Sequence, residues 1–199
     1  MRRAQKHPRF SAAVEQDLKD VPAKRPVPMI PPGEPIAERT VWHGFFKRRK
    51  PDAFPGAAMA SDMVTPLNRP FEGTFTDLPE NSDGWLLIVD LGCESAGLLH
   101  FEVEAAAGTV LDIAHGEHLE LGRVLRASGS GDRYICREGN NAFTFYFRRS
   151  GARYLELHIS NVSGQVDVKR FTLLQTDLKL PVPAENRKNA FRTTIPHLN

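Results

Sequence analysis

From Trp85 to Leu174, apolar residues recur at every second position in short runs divided by turn-forming residues, and no amphipathic helical pattern interrupts them. A period of two puts successive side chains on opposite faces of a strand, so this segment is restricted to sheet. In Leu98 to Ala105, for example, Leu99, Phe101 and Val103 share one face while His100, Glu102 and Glu104 take the other. Trp85-Leu-Leu-Ile-Val-Asp90 is apolar almost throughout and predicts a strand covered on both faces. Further runs follow at Val110 to His115, Arg133 to Arg137, Phe143 to Phe147, Arg153 to Ile159 and Val166 to Leu174. The turns between them fall at Gly108-Thr109, Gly139-Asn140-Asn141, Ser150-Gly151 and Val162-Ser163-Gly164-Gln165, where residues able to adopt positive φ are available.

Short strands without helices predict an all-β chain, an antiparallel β-sandwich of jelly-roll type with an irregular, Pro-rich N-terminal arm. Its expected core is Leu99, Phe101, Val103, Leu111, Ile113, Phe143, Phe145, Phe147, Leu155, Leu157 and Ile159. Each such side chain contributes about 1.5–3 kcal/mol by transfer from water, so the core needs neither metal nor disulfide. Cys93 and Cys136 are therefore expected as free thiols, and their separation does not suggest zinc.

The first 83 residues read differently. Phe10, Val14 and Leu18 recur every four residues behind Ser11, a pattern for a short helix over Phe10 to Lys19. Six of the chain's 15 prolines then fall between Pro22 and Pro35. Proline removes a backbone donor and fixes φ, so this stretch predicts a stiff extended connector. Weaker signals at Ile36 to Phe46 and Phe71 to Thr76 predict edge strands. Residues 1–83 are thus read as the arm and 84–176 as the sandwich. Pro181 and Pro183 mark 177–199 as a linker toward a further domain.

The formal charge of +2 produces no field that argues for nucleic acid, and the basic run Lys47 to Lys50 is read as a solvated loop. No signal peptide is visible, and no run approaches the roughly 20 apolar residues of a membrane span. A soluble protein is expected, with its compartment undecided.

Asp90-Leu91-Gly92, Ser95-Ala96-Gly97 and Ala107-Gly108-Thr109 are followed by His115-Gly116-Glu117-His118-Leu119, Asp132-Arg133-Tyr134, and Phe147 through Gly151-Ala152-Arg153-Tyr154-Leu155-Glu156. In this order the motifs resemble the β-sandwich domain of bacterial α-L-rhamnosidases, glycoside hydrolase family 78. The arm Ala23-Lys-Arg-Pro-Val-Pro-Met-Ile-Pro-Pro is similar to the connector that enters that domain. The resemblance covers Pro22 to Leu174. It implies an accessory, non-catalytic sandwich whose partner is the catalytic (α/α) barrel of the same polypeptide, an inverting enzyme that releases L-rhamnose. The barrel's acidic motifs have no counterpart in this sequence.

The residues themselves offer little chemistry. His115, Glu117 and His118 lack the helical His-Glu-x-x-His spacing of a zinc site, and a strand would turn His118 away from the other two. Glycoside hydrolysis needs two carboxyl groups facing each other across the scissile bond. Glu102 with Glu104 lies on a solvent face, and Asp112 with Glu117 points to opposite faces. No nucleophile elbow or phosphate loop occurs, so no catalytic residue, metal or cofactor is assigned. The residues that remain for sugar contact or a structural polar network are Glu117, Arg133, Arg153, Trp42 and Tyr146. Either arginine, placed in a strand, needs a carboxylate partner such as Glu117. Two alternatives to the accessory domain stay open: a module that binds rhamnose-containing glycans, and a standalone interaction protein that uses the Pro-rich arm.

Overall fold

A computed structural model describes residues 32–51, 53–124 and 131–176. The expected helix at Phe10 to Lys19, the connector as far as Pro31 and the linker at 177–199 lie outside the described residues.

Two strands of 22 residues, β4 (Gly84–Ala105) and β9 (Gly139–Ser160), pair antiparallel from end to end, Gly84 opposite Ser160 and Ala105 opposite Gly139. The ladder is interrupted between Asp90 and Ser95 and again between Leu98 and His100. Such irregularities bend a strand, and here they let each chain serve two sheets. The first half of β4 and the second half of β9 sit in the order β2-β1-β4-β9-β5-β8, with β1 at Arg39–Lys47, β2 at Met63–Pro66, β5 at Val110–Gly116 and β8 at Asp132–Ile135. The other halves pair with each other, β4 also pairs with β10 (Val166–Gln175), and β10 pairs with β3 (Thr74–Phe75). Gly33 and Ile36 add backbone hydrogen bonds of 2.8 and 2.9 Å to the end of β10.

The two halves enclose one core. Trp85, Leu87 and Val89 meet Leu99, Phe101 and Val103 there, with Leu111 and Ile113 of β5, Leu155, Leu157 and Ile159 of β9, and Phe171 and Leu173 of β10. The opposite face of the first sheet is also covered. Leu86 and Ile88 pack with Phe46 beneath Trp42, Val64 and Leu119, the last from a hairpin of β6 (Leu119–Glu120) and β7 (Arg123–Val124), while a short helix, α1 (Pro55–Ser61), lies against β5 and β8. Burial of Trp85 to Asp90 on both faces follows the prediction from their unbroken apolar text. Gly108, Gly139 and Gly164 hold positive φ at the expected turns, and both cysteines are free thiols.

Four expectations differ from the structure. Ser150-Gly151 is not a turn but lies inside β9, opposite Gly97 and Ala96. Phe147 is fully exposed and Phe143 is at 36% exposure, rather than both being core. The partner of Thr144 is His100, but that of Arg149 is Leu98, so residues 145–148 bulge opposite Leu99 alone and the alternation breaks. β1 is not an edge strand: it pairs with β2 on one side and β4 on the other. It also splits its apolar residues, with Phe45 packed on the main core and Phe46 on the outer cluster. Finally, Arg48 leaves the solvated basic run, because its side chain is 10% exposed and ion-paired.

A core whose alternation holds in β9 only after the bulge makes a direct prediction. Leu157→Ala is expected to cost about 2–5 kcal/mol of unfolding free energy, whereas Phe147→Ser changes it by about 0.5 kcal/mol or less. Urea titration followed by tryptophan fluorescence measures both.

Candidate functional site

Alternation in β9 places Glu156 and His158 on the face opposite Leu155, Leu157 and Ile159, and sheet register brings Asp112 beside His158 and Arg133 beside Asp112. In an open sheet this face is solvated. Here α1 and the β6–β7 hairpin cover it, so Asp112, Glu156 and His158 are fully buried. Burial of a charge is tolerable only with partners, and each of these groups has them.

Arg133 grips Asp112 through two bonds, Nε to Oδ1 at 2.6 Å and Nη2 to Oδ2 at 2.9 Å, while Arg48 Nη1 donates to Oδ2 at 3.1 Å. Arg48 also lies 3.5 Å from Asp62 Oδ2, which in turn is 2.9 Å from His158 Nδ1. His158 Nε2 stands 2.8 Å from Glu156 Oε1. Arg123 Nε donates to that same oxygen at 2.9 Å, and the Val124 amide donates to Oε2 at 2.9 Å. A chain of charge thus runs from β8 across β5 and β9 to the hairpin.

A second cluster forms where β4 bends. Arg153 donates to both oxygens of Asp90 at 2.9 and 3.1 Å, and Arg39 approaches at 3.4 Å. The hydrogen bond from Arg153 holds the Asp90 carboxyl below its usual range, and the Gly92 amide at 2.8 Å acts in the same direction. The bidentate contact also raises Arg133 and Arg153 through their partners, Asp112 and Asp90.

These contacts place the five residues singled out in the sequence. Arg133 and Arg153 find carboxylates, but those are Asp112 and Asp90 rather than Glu117. Glu117 is exposed in the turn after β5. Trp42 is half-buried, packs on the outer cluster and donates from Nε1 to the Gly122 carbonyl at 2.8 Å, which ties the hairpin to β1. Tyr146 is half-exposed in the β9 bulge. The five are not gathered into one site: Trp42 bonds the Gly122 carbonyl, Arg133 bonds Asp112 and Arg153 bonds Asp90. The sequence reading missed Arg48, Asp62, Arg123, Glu156 and His158: the last two have the strand pattern of a solvent face, and Arg48 and Asp62 lie outside the strands.

The arrangement is suited to holding elements together rather than to proton transfer. Glu102 lies 3.2 Å from His100 Nε2, and Glu104 lies 2.6 Å from Lys169 Nζ. Asp112 is closed in by two arginines while Glu117 is exposed, so neither carboxyl pair frames a cleft. His115 Nε2 is 3.3 Å from Ser150 Oγ, and among the described residues no three His, Cys, Asp or Glu gather to hold a metal. Burial pushes the Cys136 thiol up to about 11, which leaves it unreactive. No described helix is long and apolar enough to cross a membrane.

Residues 81–175 match the family model of the bacterial alpha-L-rhamnosidase concanavalin-like domain. Among solved structures the chain is similar to a GH78 family rhamnosidase of Bacillus sp. GL1, with 28% identity, a TM-score of 0.52, and coverage of 61% of this chain but 14% of that one. It is also similar to a rhamnosidase from Klebsiella oxytoca with rhamnose bound, at 16% identity and TM-score 0.38 over 85% of this chain and 32% of that one. A Ruminococcus gnavus GH29 fucosidase in complex with fucose matches at 10% identity and TM-score 0.34, over 48% and 18% of the two chains. These last two likenesses support no further conclusion. No curated protein matches the chain.

Two measurements probe the ion pairs. Glu156→Ala leaves the partly buried Arg123 without its carboxylate and the Val124 amide without its acceptor, and is expected to cost about 3–5 kcal/mol in urea unfolding. Asp90 has a folded pKa below its unfolded value, so its stabilisation is full above the ordinary carboxyl value, about 4, and is lost as pH falls through the lower folded one. The stability difference between the parent and Asp90→Asn is therefore expected to be constant at neutral pH and to shrink only below about pH 4.

Proposed function

We propose that this chain works as the non-catalytic accessory β-sandwich of an α-L-rhamnosidase-like glycoside hydrolase, a reading that proceeds from the match of residues 81–175 to the bacterial alpha-L-rhamnosidase concanavalin-like domain. The match over those residues is the observation that carries it. The matching portion spans 14% of the Bacillus enzyme, which fits a role as one part of a larger machine.

The site geometry supports the same division of labour. Inverting hydrolysis needs an acid and a base roughly 6.5–9.5 Å apart on either side of a sugar, with room for water between them. Asp90, Asp112 and Glu156 are instead held by arginines inside the fold, where they link strands. The carboxyl groups that cleave the glycoside then belong to a catalytic domain of the same polypeptide, and the sandwich contributes a rigid surface for it.

Release of p-nitrophenol from its α-L-rhamnoside tests this assignment. The purified 199-residue chain is expected to give no turnover above buffer, and a polypeptide extended through the downstream reading frame is expected to hydrolyse the substrate. Turnover by the chain alone that disappears on substituting one of its own carboxylates would overturn the proposal.

A further inference from the structure

The first half of β9, residues 139–149, pairs with β4 on one side and, among the described residues, with no strand on the other, because β5 takes up only residues 154–160. β8 ends the first sheet in the same way. The two open edges stand together on one side of the sandwich: the rings of Tyr134 on β8 and Phe143 on β9 lie 5.4 Å apart, and Arg148 of β9 pairs with Asp132 of β8. An unpaired edge beside apolar side chains is a template for association, so natural sheets cover it or blunt it with charge.

This edge is instead aromatic. Phe147 is fully exposed, Tyr146 beside it is half-exposed, and Phe143 stands out at the near end of the strand. Phe145, packed on the core, joins them, with its ring 6.0 Å from that of Phe143 and 5.0 Å from the Arg148 guanidinium. The bulge at 145–148 breaks the alternation and frees Phe147 from the core, and bulges re-aim side chains in this way next to functional surfaces. Aromatic residues gathered on exposed surface mark an interface, where they are enriched over the rest of a protein's exterior.

The course of the chain identifies the occupant. Thr176 donates from its amide to the Ala96 carbonyl at 3.1 Å, and its hydroxyl accepts from Arg149 Nε at 2.8 Å. Register aligns Leu174, Leu98 and Arg149 in one row across β10, β4 and β9, so the polypeptide leaves for residues 177–199 beside Arg149, itself two residues from Phe147. Whatever those residues lead to is tethered close to the bulge, at the high effective concentration that a short linker gives. We infer, on the accessory-domain reading, that the Tyr146–Phe147 bulge and the open edge of β9 are the surface on which the next domain of the polypeptide docks, through an apolar face that receives Phe147. A two-fold axis at the bulge would instead set the exposed Arg148 and Arg149 of one copy against those of a second, and like charges disfavour that pairing.

Hydroxyl-radical footprinting read by mass spectrometry tests the inference, comparing the 199-residue chain with the polypeptide extended through the downstream reading frame. Labelling of Tyr146 and Phe147 is expected to fall severalfold in the extended protein, while Phe54 and Leu121, exposed elsewhere on the sandwich, keep theirs. Phe147→Asp in the extended protein is expected to restore the labelling of Tyr146, because it places a charge in the apolar centre of the contact. Equal labelling of Tyr146 and Phe147 in the two proteins overturns the inference, as does protection that appears in the 199-residue chain when its concentration is raised, the signature of a second copy. Turnover of the rhamnoside by an extended protein whose bulge stays labelled removes this surface and leaves the accessory-domain reading standing. A protected bulge without turnover removes that reading and leaves the surface.

Discussion

The antiparallel ladder between β4 and β9 is the interaction on which the rest of the molecule depends. Both strands run through both halves of the sandwich, so one ladder, interrupted only at its two bends, joins what would otherwise be two sheets held by side chains alone. Every other principal strand, β1, β5 and β10, docks on one of these two. The inner residues of both strands, from Trp85 to Val103 and from Leu155 to Ile159, then fall on the shared core without further instruction.

The ladder also explains where the polar groups sit. A strand that bends must leave backbone groups and side chains out of register, and Asp90 stands at the bend of β4, where Arg153 and the Gly92 amide bond it. Farther along, the regular register lines up Arg133, Asp112 and His158 across three adjacent strands. Once α1 and the hairpin close over that row, the ions must satisfy one another. A buried ion pair is weak evidence for net stability, but breaking one is costly, so the network fixes the position of its covering elements.

Much of this was legible in the chain. Period-two runs located the strands from Trp85 onward, the apolar text of Trp85 to Asp90 announced burial on both faces, and glycines marked the turns at 108, 139 and 164. The misses have physical reasons. Alternation through Phe143, Phe145 and Phe147 cannot reveal a bulge, because the extra residues are defined only by the partner strand. Glu156 and His158 have the local pattern of a solvated face, and their cover comes from sequence about 100 and 35 residues earlier. Arg48 reads as one charge among four until Asp62 and Asp112 are placed beside it.

If one ladder holds both sheets, the two halves of β4 and β9 must open together. Native-state amide hydrogen exchange measures this residue by residue. Amides of residues 85–90 and 155–159 in the first sheet, and of 99–104 and 140–144 in the second, are expected to share one opening free energy equal to that of global unfolding. Exchange of the two sets at clearly different free energies, with one sheet opening while the other stays closed, would contradict the account.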